Sequence, residues 1–400
     1  MDKSNTVDEK IFKLVTECRA FLQEKESRLL NRVSNNKASK DEVNEVLKRY
    51  LKSKKEDETI IDKVLDKFET YIFRYGEIDS LIKDETISDI KVLSYDNIRI
   101  KQLGKRKTSD IKFKTKEDFI SFVNMIAVKN QINISNINAL QVVTDKTTYE
   151  SDILRINISA PFVNSTSGYY VHIRKIPKKK KDLETLEKLG MFSAEEKEYL
   201  VEKIKKGCSI IFTGKGASGK STLMNTLIDE IPFERSGLVI QESEELFSDI
   251  HPDMMFQCVK DSKGESKVKY TLKELAINGL LIDLDCFTIG EIKGGEALYF
   301  LNASYTGHSC YASVHGNSST SALSKLADYV KYESDYTREE ILSMLQEIDI
   351  VVFMKNFQVK EISETNGFDY DKKEIIYNKV FENHIRLNNS CEKIIKKINS

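Results

Sequence analysis

The sequence contains no tryptophan, only 4 prolines, and no long run of apolar residues. Its 62 Lys and Arg residues nearly balance 63 Asp and Glu residues, so the chain has no overall attraction to nucleic acid or to an anionic membrane. No apolar stretch approaches the roughly 20 residues that span a bilayer, and the charged N-terminus predicts no signal peptide. The 6 cysteines form no C-x-x-C pair, which disfavours a zinc ribbon or a disulfide framework and favours buried thiols in a reducing cytosol.

Length and patterning divide the sequence into regions. At roughly 150 residues per domain, 400 residues predict two or three domains. Apolar residues recur at three- and four-residue spacing in the first region, and short β-rich runs follow in the second. Pro177 and the run Lys178–Lys181 resist packing and predict a solvated hinge. The predicted regions are a helical N-terminal region (1–75), an α+β domain (76–176), a linker (177–188) and a last domain (189–400).

In the last region, buried strands alternate with helices. This alternation predicts an α/β fold with a parallel sheet covered by helices on both faces. The predicted strands are Cys208–Thr213, Leu238–Gln241, Phe287–Gly290, Cys310–Val314 and Ile348–Phe353.

The strongest motif is a glycine-rich loop, Gly214–Ser221, which fits the pattern G-x-x-x-x-G-K-[ST] and lies between a predicted strand and a predicted helix. Glycines let the backbone direct several N–H groups into one concavity, and the helix adds its positive amino end. Lys220 provides a mobile charge for the β- and γ-phosphates, and the Ser221 hydroxyl is suited to Mg²⁺. The candidate phosphate-binding residues are Gly214, Gly216, Ala217, Ser218, Gly219, Lys220, Ser221 and Thr222.

The base of the nucleotide is predicted to be adenine. A guanine-specific N-K-x-D motif is missing after the loop, where Asn378 and Lys379 are followed by Val380 and Phe381. The similar stretch Thr115–Asp118 lies upstream and reads as the start of a helix. The sequence therefore favours ATP over GTP.

Acidic and histidine residues follow the predicted strands. Ligands of α/β sheets bind at the carboxyl ends of strands, which makes Glu291 a candidate acid. Glu245 lies in a second acidic stretch after the strand that ends near Gln241, although such glutamates are often merely solvated. His308 and His315 bracket another strand, and a histidine there can hydrogen-bond the γ-phosphate. The two histidines have no third metal ligand close to them in the sequence, which disfavours a protein-bound transition metal.

These motifs in this order resemble the secretion-superfamily ATPases, the RecA-like hexameric motors of type II and type IV secretion, type IV pili and Tad (tight-adherence) pili. The resemblance spans residues 77–355. The stretches Ile173–Lys175 and Gly290–Ala297 are similar to the Tad pilus and type IV secretion branch. The missing C-x-x-C pairs disfavour the zinc-bearing type II branch.

The resemblance implies specific roles. Lys220 and Ser221 match the Walker A lysine and hydroxyl, and Glu245 matches a catalytic acid that orients water or associates with the metal. Glu291 matches the Walker B glutamate, which together with Ser221 would hold Mg²⁺. His308 and His315 match the His box of the family. Arg155 and Arg174 match arginines of the N-terminal domain that approach the nucleotide at a domain or subunit interface.

As a family member, the protein is expected to be a cytoplasmic, Mg-dependent ATPase at the inner face of the membrane. Its expected partners are further copies of itself in a hexamer and a membrane-embedded platform protein, with no strong case for nucleic acid. The substrate and the choice among pilus extension, retraction and export stay open.

The sequence departs from the family at three places. Leu280–Asp285 has no arginine where the family usually has two, Lys293 replaces an arginine, and Gln241–Glu242 stands where Glu-Asp is usual. Lysine keeps the charge but cannot make a planar bidentate contact. One alternative is therefore a nucleotide-binding assembly scaffold with weak turnover. A DNA translocase is a second alternative, because RecA-like domains serve there too.

Overall fold

The computed structural model describes residues 3–26, 28–29, 32, 39–102, 104–261 and 269–399. Contacts between residues divide the chain into an N-terminal unit (1–178) and a C-terminal unit (179–400). Each unit has its own hydrophobic cores, and each is described by itself.

The N-terminal unit begins with a helical region. Its apolar stripes pack together, so that Leu22, Leu47 and Phe68 are buried in one cluster. The Ser39 hydroxyl accepts from the Glu42 amide, and the Glu42 carboxylate accepts from the Ser39 amide, which starts the second helix as a capping box. The helices are α1 (Lys3–Lys25), α2 (Lys40–Ser53) and α3 (Glu58–Ile72).

A six-stranded antiparallel sheet follows in the order β3-β2-β1-β6-β5-β4. One face packs on the helix that begins with the Thr115–Asp118 capping box, so this stretch starts a helix as predicted. The elements are α4 (Asp79–Lys83), β1 (Ile87–Ser94), β2 (Asn97–Gln102), β3 (Lys105–Thr108), α5 (Lys116–Lys129), β4 (Leu140–Asp145), β5 (Asp152–Ser159) and β6 (Tyr170–Pro177), with short 3-10 turns at Gly76–Ile78 and Pro161–Val163.

The C-terminal unit is built on a nine-stranded sheet in the order β17-β16-β15-β14-β7-β13-β12-β8-β9. Its strands are β7 (Ile210–Thr213), β8 (Gly237–Gln241), β9 (Met254–Cys258), β12 (Cys286–Ile289), β13 (Ser309–Val314), β14 (Ile350–Lys355), β15 (Gln358–Asp369), β16 (Glu374–Glu382) and β17 (Ile385–Arg386); β10 (Lys260–Asp261) and β11 (Lys269–Tyr270) form a separate ribbon. The helices are α6 (Leu183–Lys188), α7 (Ala194–Lys205), α8 (Lys220–Ile228), α9 (Leu272–Gly279), α10 (Glu296–Tyr305), α11 (Ser319–Val330), α12 (Arg338–Leu345) and α13 (Glu392–Asn399).

The six strands β14, β7, β13, β12, β8 and β9 are mutually parallel. Neighbouring residues such as Ile211 and Phe212 point into different clusters, which cover the two faces of the sheet. Because all six strands run the same way, their carboxyl ends meet at one edge. The segments that follow Thr213, Gln241, Ile289 and Val314 start from this edge.

Three sequence-based expectations need correction. The sheet is mixed, because β15, β16 and β17 extend the parallel core by antiparallel hairpins. The predicted linker 177–188 contains α6, whose Leu183 and Leu186 join the core of the C-terminal unit. The sequence did not predict this short amphipathic helix, because the adjacent lysine run indicated a solvated hinge. Of the cysteines expected to be buried, Cys258 and Cys391 are partly exposed, since they lie at the end of an edge strand and just before the last helix.

Candidate functional site

The phosphate loop (Gly214–Ser221) connects the buried strand β7 to α8. Gly214 and Gly219 have φ angles of +150° and +103°, which other residues rarely adopt. A Cβ atom on Gly214 would lie 2.2 Å from the carbonyl oxygen of Met354 on β14. As N-cap, Gly219 has no side chain to accept from the first N–H groups of α8. The loop therefore forms a tight turn whose backbone donors can serve an anion.

Lys220 folds back onto this loop. Its ammonium donates to the carbonyl oxygens of Gly214 at 3.1 Å and Lys215 at 3.2 Å, and the residue is only 6% exposed. Burial lowers the pKa of Lys220, while the charges of Glu291 and Glu245 act in the opposite direction. The two carbonyls hold the charge in a position from which it can move to phosphate oxygens.

The loop also carries a buried hydroxyl suited to an anionic ligand. Among the described residues, Ser218 Oγ has no hydrogen-bond partner although it is shielded from solvent. A buried donor without an acceptor is costly, and a phosphate oxygen would supply that acceptor. Ser221 and Thr222 follow in the first turn of α8 and are half-buried. These features fit the triphosphate predicted from the sequence.

Glu291 and His315 meet beside the loop because of strand register. Val314 pairs with Thr213, so His315 and Gly214 directly follow a matched pair. His315 Nε2 lies 2.6 Å from Glu291 Oε1, and His315 Nδ1 lies 3.2 Å from the Gly214 carbonyl oxygen. Both ring nitrogens thus face acceptor oxygens. The same Gly214 carbonyl accepts from Lys220, so one oxygen joins the histidine to the loop lysine.

Lys293 connects two acids of the site. Its ammonium lies 3.0 Å from a Glu291 oxygen and 2.7 Å from a Glu242 oxygen. Burial opposes this charge, but the two carboxylates outweigh burial and raise the pKa of Lys293. Ser313 stabilises the same corner by donating to the Gly290 carbonyl at 2.8 Å. Lys293 therefore places a positive charge between the two acids, without the planar contact that an arginine can make.

The loop Glu242–Ser248, here called the acidic loop, is shaped by Gln241. The buried Gln241 side chain accepts from the amides of Glu245 and Leu246 at 2.9 and 2.8 Å and donates to the Leu246 carbonyl at 2.9 Å. Glu245 acts electrostatically on Lys220, as Glu291 does. The departure at Gln241 thus provides a neutral scaffold under Glu245.

Three predicted residues are not brought to this edge within the C-terminal unit. His308 precedes β13 and lies at the opposite end of that strand, where its Nδ1 contacts the Ala303 carbonyl. Arg155 and Arg174 belong to the N-terminal unit and face each other on β5 and β6. Arg174 Nε lies 3.2 Å from Asp89. Burial opposes ionisation of Asp89, but hydrogen bonds from His172, Ser88 and Arg174 hold its pKa below the usual range.

The site also offers oxygen ligands for Mg²⁺. Ser221 supplies a hydroxyl and Glu291 a carboxylate, the hard donors that Mg²⁺ prefers. In the described part of the chain, no group of three or more His, Cys, Asp or Glu side chains could hold a metal by itself. This donor set suits an ion held by one or two protein ligands together with phosphates and water.

A model of the family described as "Type II/IV secretion system protein" matches residues 75–352, more than half of the 400 residues. The chain belongs to this family. The predicted resemblance to the ATPases of type II and type IV secretion is thereby confirmed at the level of the family. Among described residues, the structure contains no helix that is long and apolar enough to cross a membrane.

Two relatives in this family show the extent of the sequence match. The type IV secretion system protein VirB11 of Brucella suis biovar 1 is 28% identical over 155 residues, 36% of this chain and 42% of that protein. The probable conjugal transfer protein TrbB of Sinorhizobium fredii is 28% identical over 178 residues, 42% of this chain and 51% of that protein. The chain thus spans two fifths to one half of the length of these relatives.

A solved structure shows the fold. The ATPase DotB of Legionella pneumophila superposes with a TM-score of 0.51 at 15% identity, over 75% of this chain and 78% of that chain. The α/β, RecA-like secretion-ATPase fold predicted from the sequence is confirmed. Sequence reasoning missed Ser313, which donates to the Gly290 carbonyl, and also Lys180 and Asn225, which contact Phe247 of the acidic loop. Nothing in their local sequence marks them, because their partners are distant along the chain.

Proposed function

We propose that this protein is the ATP-hydrolysing motor of a pilus assembly or secretion system, in or near the Tad and type IV secretion branch. One observation carries the proposal: at the carboxyl edge of the sheet, Lys220 and His315 both contact the Gly214 carbonyl oxygen, and His315 also contacts Glu291. Family membership supports a homo-hexamer at the cytoplasmic face of the membrane, in contact with a membrane-embedded platform protein.

ATP binding begins at the phosphate loop. Backbone amides of the loop and the first turn of α8 receive the phosphates, and Lys220 leaves the Gly214 and Lys215 carbonyls for the β- and γ-phosphate oxygens. Ser221 and Glu291 would hold Mg²⁺, which when bound neutralises charge on the phosphates.

Hydrolysis needs a water in line with the γ-phosphorus. Glu245 and Glu291 are the acids that can orient it, and both act electrostatically on Lys220. His315 holds Glu291 in place and shares the Gly214 carbonyl oxygen with Lys220. Arg155 and Arg174 would add positive charge at a domain or subunit interface, where it stabilises the transferring phosphoryl group.

The test is steady-state hydrolysis of MgATP by the wild-type chain and by Lys220→Ala. We expect at least a hundredfold loss of kcat/KM, since Lys220 carries the charge nearest the phosphates. Lys215→Ala is the matched control, because the Lys215 side chain is exposed and only its carbonyl contacts Lys220. Equal rates in wild-type and Lys220→Ala would refute the motor. Complex mass with and without a non-hydrolysable ATP analogue tests the hexamer.

A second candidate is a nucleotide-binding scaffold with weak turnover. It is favoured by the segment Leu280–Asp285, which lacks the usual arginines and leaves Leu281 81% exposed. ATP binding without Lys220-dependent turnover would select the scaffold.

A further inference from the structure

Lys180 is a half-buried cation in a lysine run whose other members within the C-terminal unit are exposed. Its ammonium lies 2.6 Å from Asp229 Oδ1 and donates to the carbonyl oxygens of Phe247 at 2.8 Å and Asn225 at 3.1 Å. The Lys180 side chain is 14% exposed, whereas Lys179 and Lys181 are exposed residues.

The contacts of Lys180 compensate for the loss of hydration of its charge. An ammonium shielded from water needs a counter-ion and further acceptors. The carboxylate and the two carbonyl oxygens provide one acceptor for each of its three N–H groups. The ammonium also lies 5.5 Å from the centre of the Phe247 ring, where the ring face attracts cations. Burial lowers the pKa of Lys180, and Asp229 opposes that effect.

Three segments meet at this ammonium. Asn225 and Asp229 lie at the carboxyl end of α8, whose amino end is the phosphate loop. Phe247 lies in the acidic loop, two residues after Glu245. Lys180 itself lies in Lys179–Asp182, the entry segment through which the chain enters the C-terminal unit.

Other hydrogen bonds support the same junction. The Phe247 amide donates to Asn225 Oδ1 at 2.8 Å, and Ser248 Oγ donates to Asp229 Oδ1 at 2.5 Å. Thr226 Oγ1 donates to the carbonyl oxygen of Lys181 at 2.9 Å. The acidic loop and the entry segment are thus both fastened to one turn of α8, and Lys180 is the side chain that touches all three.

We propose that Lys180 is a positioning residue that couples the entry segment to Glu245. A displacement of the chain at residues 179–181 moves the Lys180 ammonium. Because this ammonium is hydrogen-bonded to the Phe247 carbonyl, its movement shifts the acidic loop relative to α8. Lys180 does not touch the phosphate loop, so its effect falls on the placement of Glu245 rather than on retention of nucleotide. This role rests on the proposed ATPase function and adds to it a mechanical input to the catalytic acid.

The first experiment separates turnover from binding. In Lys180→Met we expect kcat for MgATP to fall about tenfold while KM and the affinity for a non-hydrolysable analogue stay within twofold. Lys179→Met, an exposed neighbour, is the matched control and should retain wild-type kcat. Lys180→Arg keeps a cation and should recover part of the loss. A wild-type kcat in Lys180→Met would overturn the inference.

A second variant deals with folding, because Lys180→Met leaves Asp229 without its counter-ion. Lys180→Met/Asp229→Asn removes both charges, keeps an oxygen at residue 229 that can accept from Ser248 Oγ, and should remain slow, since the link from residue 180 to Phe247 is still missing. A return to wild-type kcat in this folded double variant would show that only the unpaired charge mattered.

Two further readouts decide whether the effect passes through Glu245. In a Glu245→Gln background, Lys180→Met should reduce residual kcat less than twofold; a full tenfold loss would overturn the route. Amide hydrogen exchange of residues 245–248 should become faster in Lys180→Met but not in Lys179→Met. If wild-type protein shows no Lys220-dependent hydrolysis, the proposed function fails, and exchange in the acidic loop still decides whether Lys180 holds it.

Discussion

The two sheets of this chain present functional side chains in different ways. In the antiparallel sheet of the N-terminal unit, Asp89, Arg174 and Arg155 lie side by side across three strands, so charges accumulate on a face. In the C-terminal unit, the parallel strands end together, and the segments after them bring Glu291 and His315 to one edge. The loops that follow parallel strands bring backbone N–H and C=O groups to the edge of the sheet, whereas the face of a sheet presents only side chains. The edge can therefore bind a phosphate through backbone N–H groups, and the face can present charged side chains.

The comparison predicts that the edge is most sensitive where backbone conformation is strained. Gly214→Ala adds a Cβ 2.2 Å from a backbone oxygen at a φ of +150°. We expect a loss of unfolding free energy of about 3 kcal/mol and loss of measurable ATP affinity, checked by thermal denaturation and nucleotide titration. Gly216→Ala is the control for stability, since the nearest atom to its Cβ would be 3.8 Å away. Equal losses of unfolding free energy in the two variants would mean that the loop geometry is wrong.

The N-terminal sheet should instead respond through buried charge. Asp145 ends β4 and accepts from Tyr75 at 2.6 Å. Burial opposes its ionisation, but hydrogen bonds from Thr148 and Tyr75 outweigh burial and lower the pKa of Asp145 to about 2. Because the folded pKa is below the unfolded value, this stabilisation is complete above about pH 4 and is lost as pH falls towards 2.

We therefore expect Asp145→Asn to lower the free energy of unfolding by about 2 kcal/mol at pH 7 and to have little effect near pH 2. Denaturant unfolding of the two proteins across this pH range measures the difference. Asp110→Asn, which changes an exposed aspartate of the same unit, should show no such pH dependence. A constant difference at all pH values would rule out the charge as its source.

The smallest stability effect is expected on the open face. Arg174 has a side chain that is 44% exposed, so Arg174→Ala should change the free energy of unfolding by less than about 1 kcal/mol. If Arg174 reaches the nucleotide as proposed, kcat should nevertheless fall about tenfold. Arg99→Ala, which removes an exposed arginine paired with Thr108, is the control for the face. An unchanged kcat in Arg174→Ala would mean that Arg174 takes no part in catalysis, which would then depend on the residues at the edge of the parallel sheet.

Local sequence signals predicted what depends on short-range chemistry. The stretch Thr115–Asp118 starts a helix as the sequence predicted, because a capping box acts within four residues. The strand-loop-helix at Gly214–Ser221 is present because glycine conformation and apolar patterning act within a few residues. His308 resembles His315 in sequence context, yet strand direction places them at opposite ends of β13.

The sequence by itself determined the phosphate loop, the alternation of strands and helices and the family, since each is encoded by residues close together along the chain. Only the tertiary structure decided that His315 bridges Gly214 and Glu291, that Gln241 supports the acidic loop and that Lys180 is largely shielded from solvent by its partners. These arrangements depend on strand register and on partners more than 40 residues away in the case of Lys180. Burial then gives one lysine of a uniform run a different environment from its neighbours.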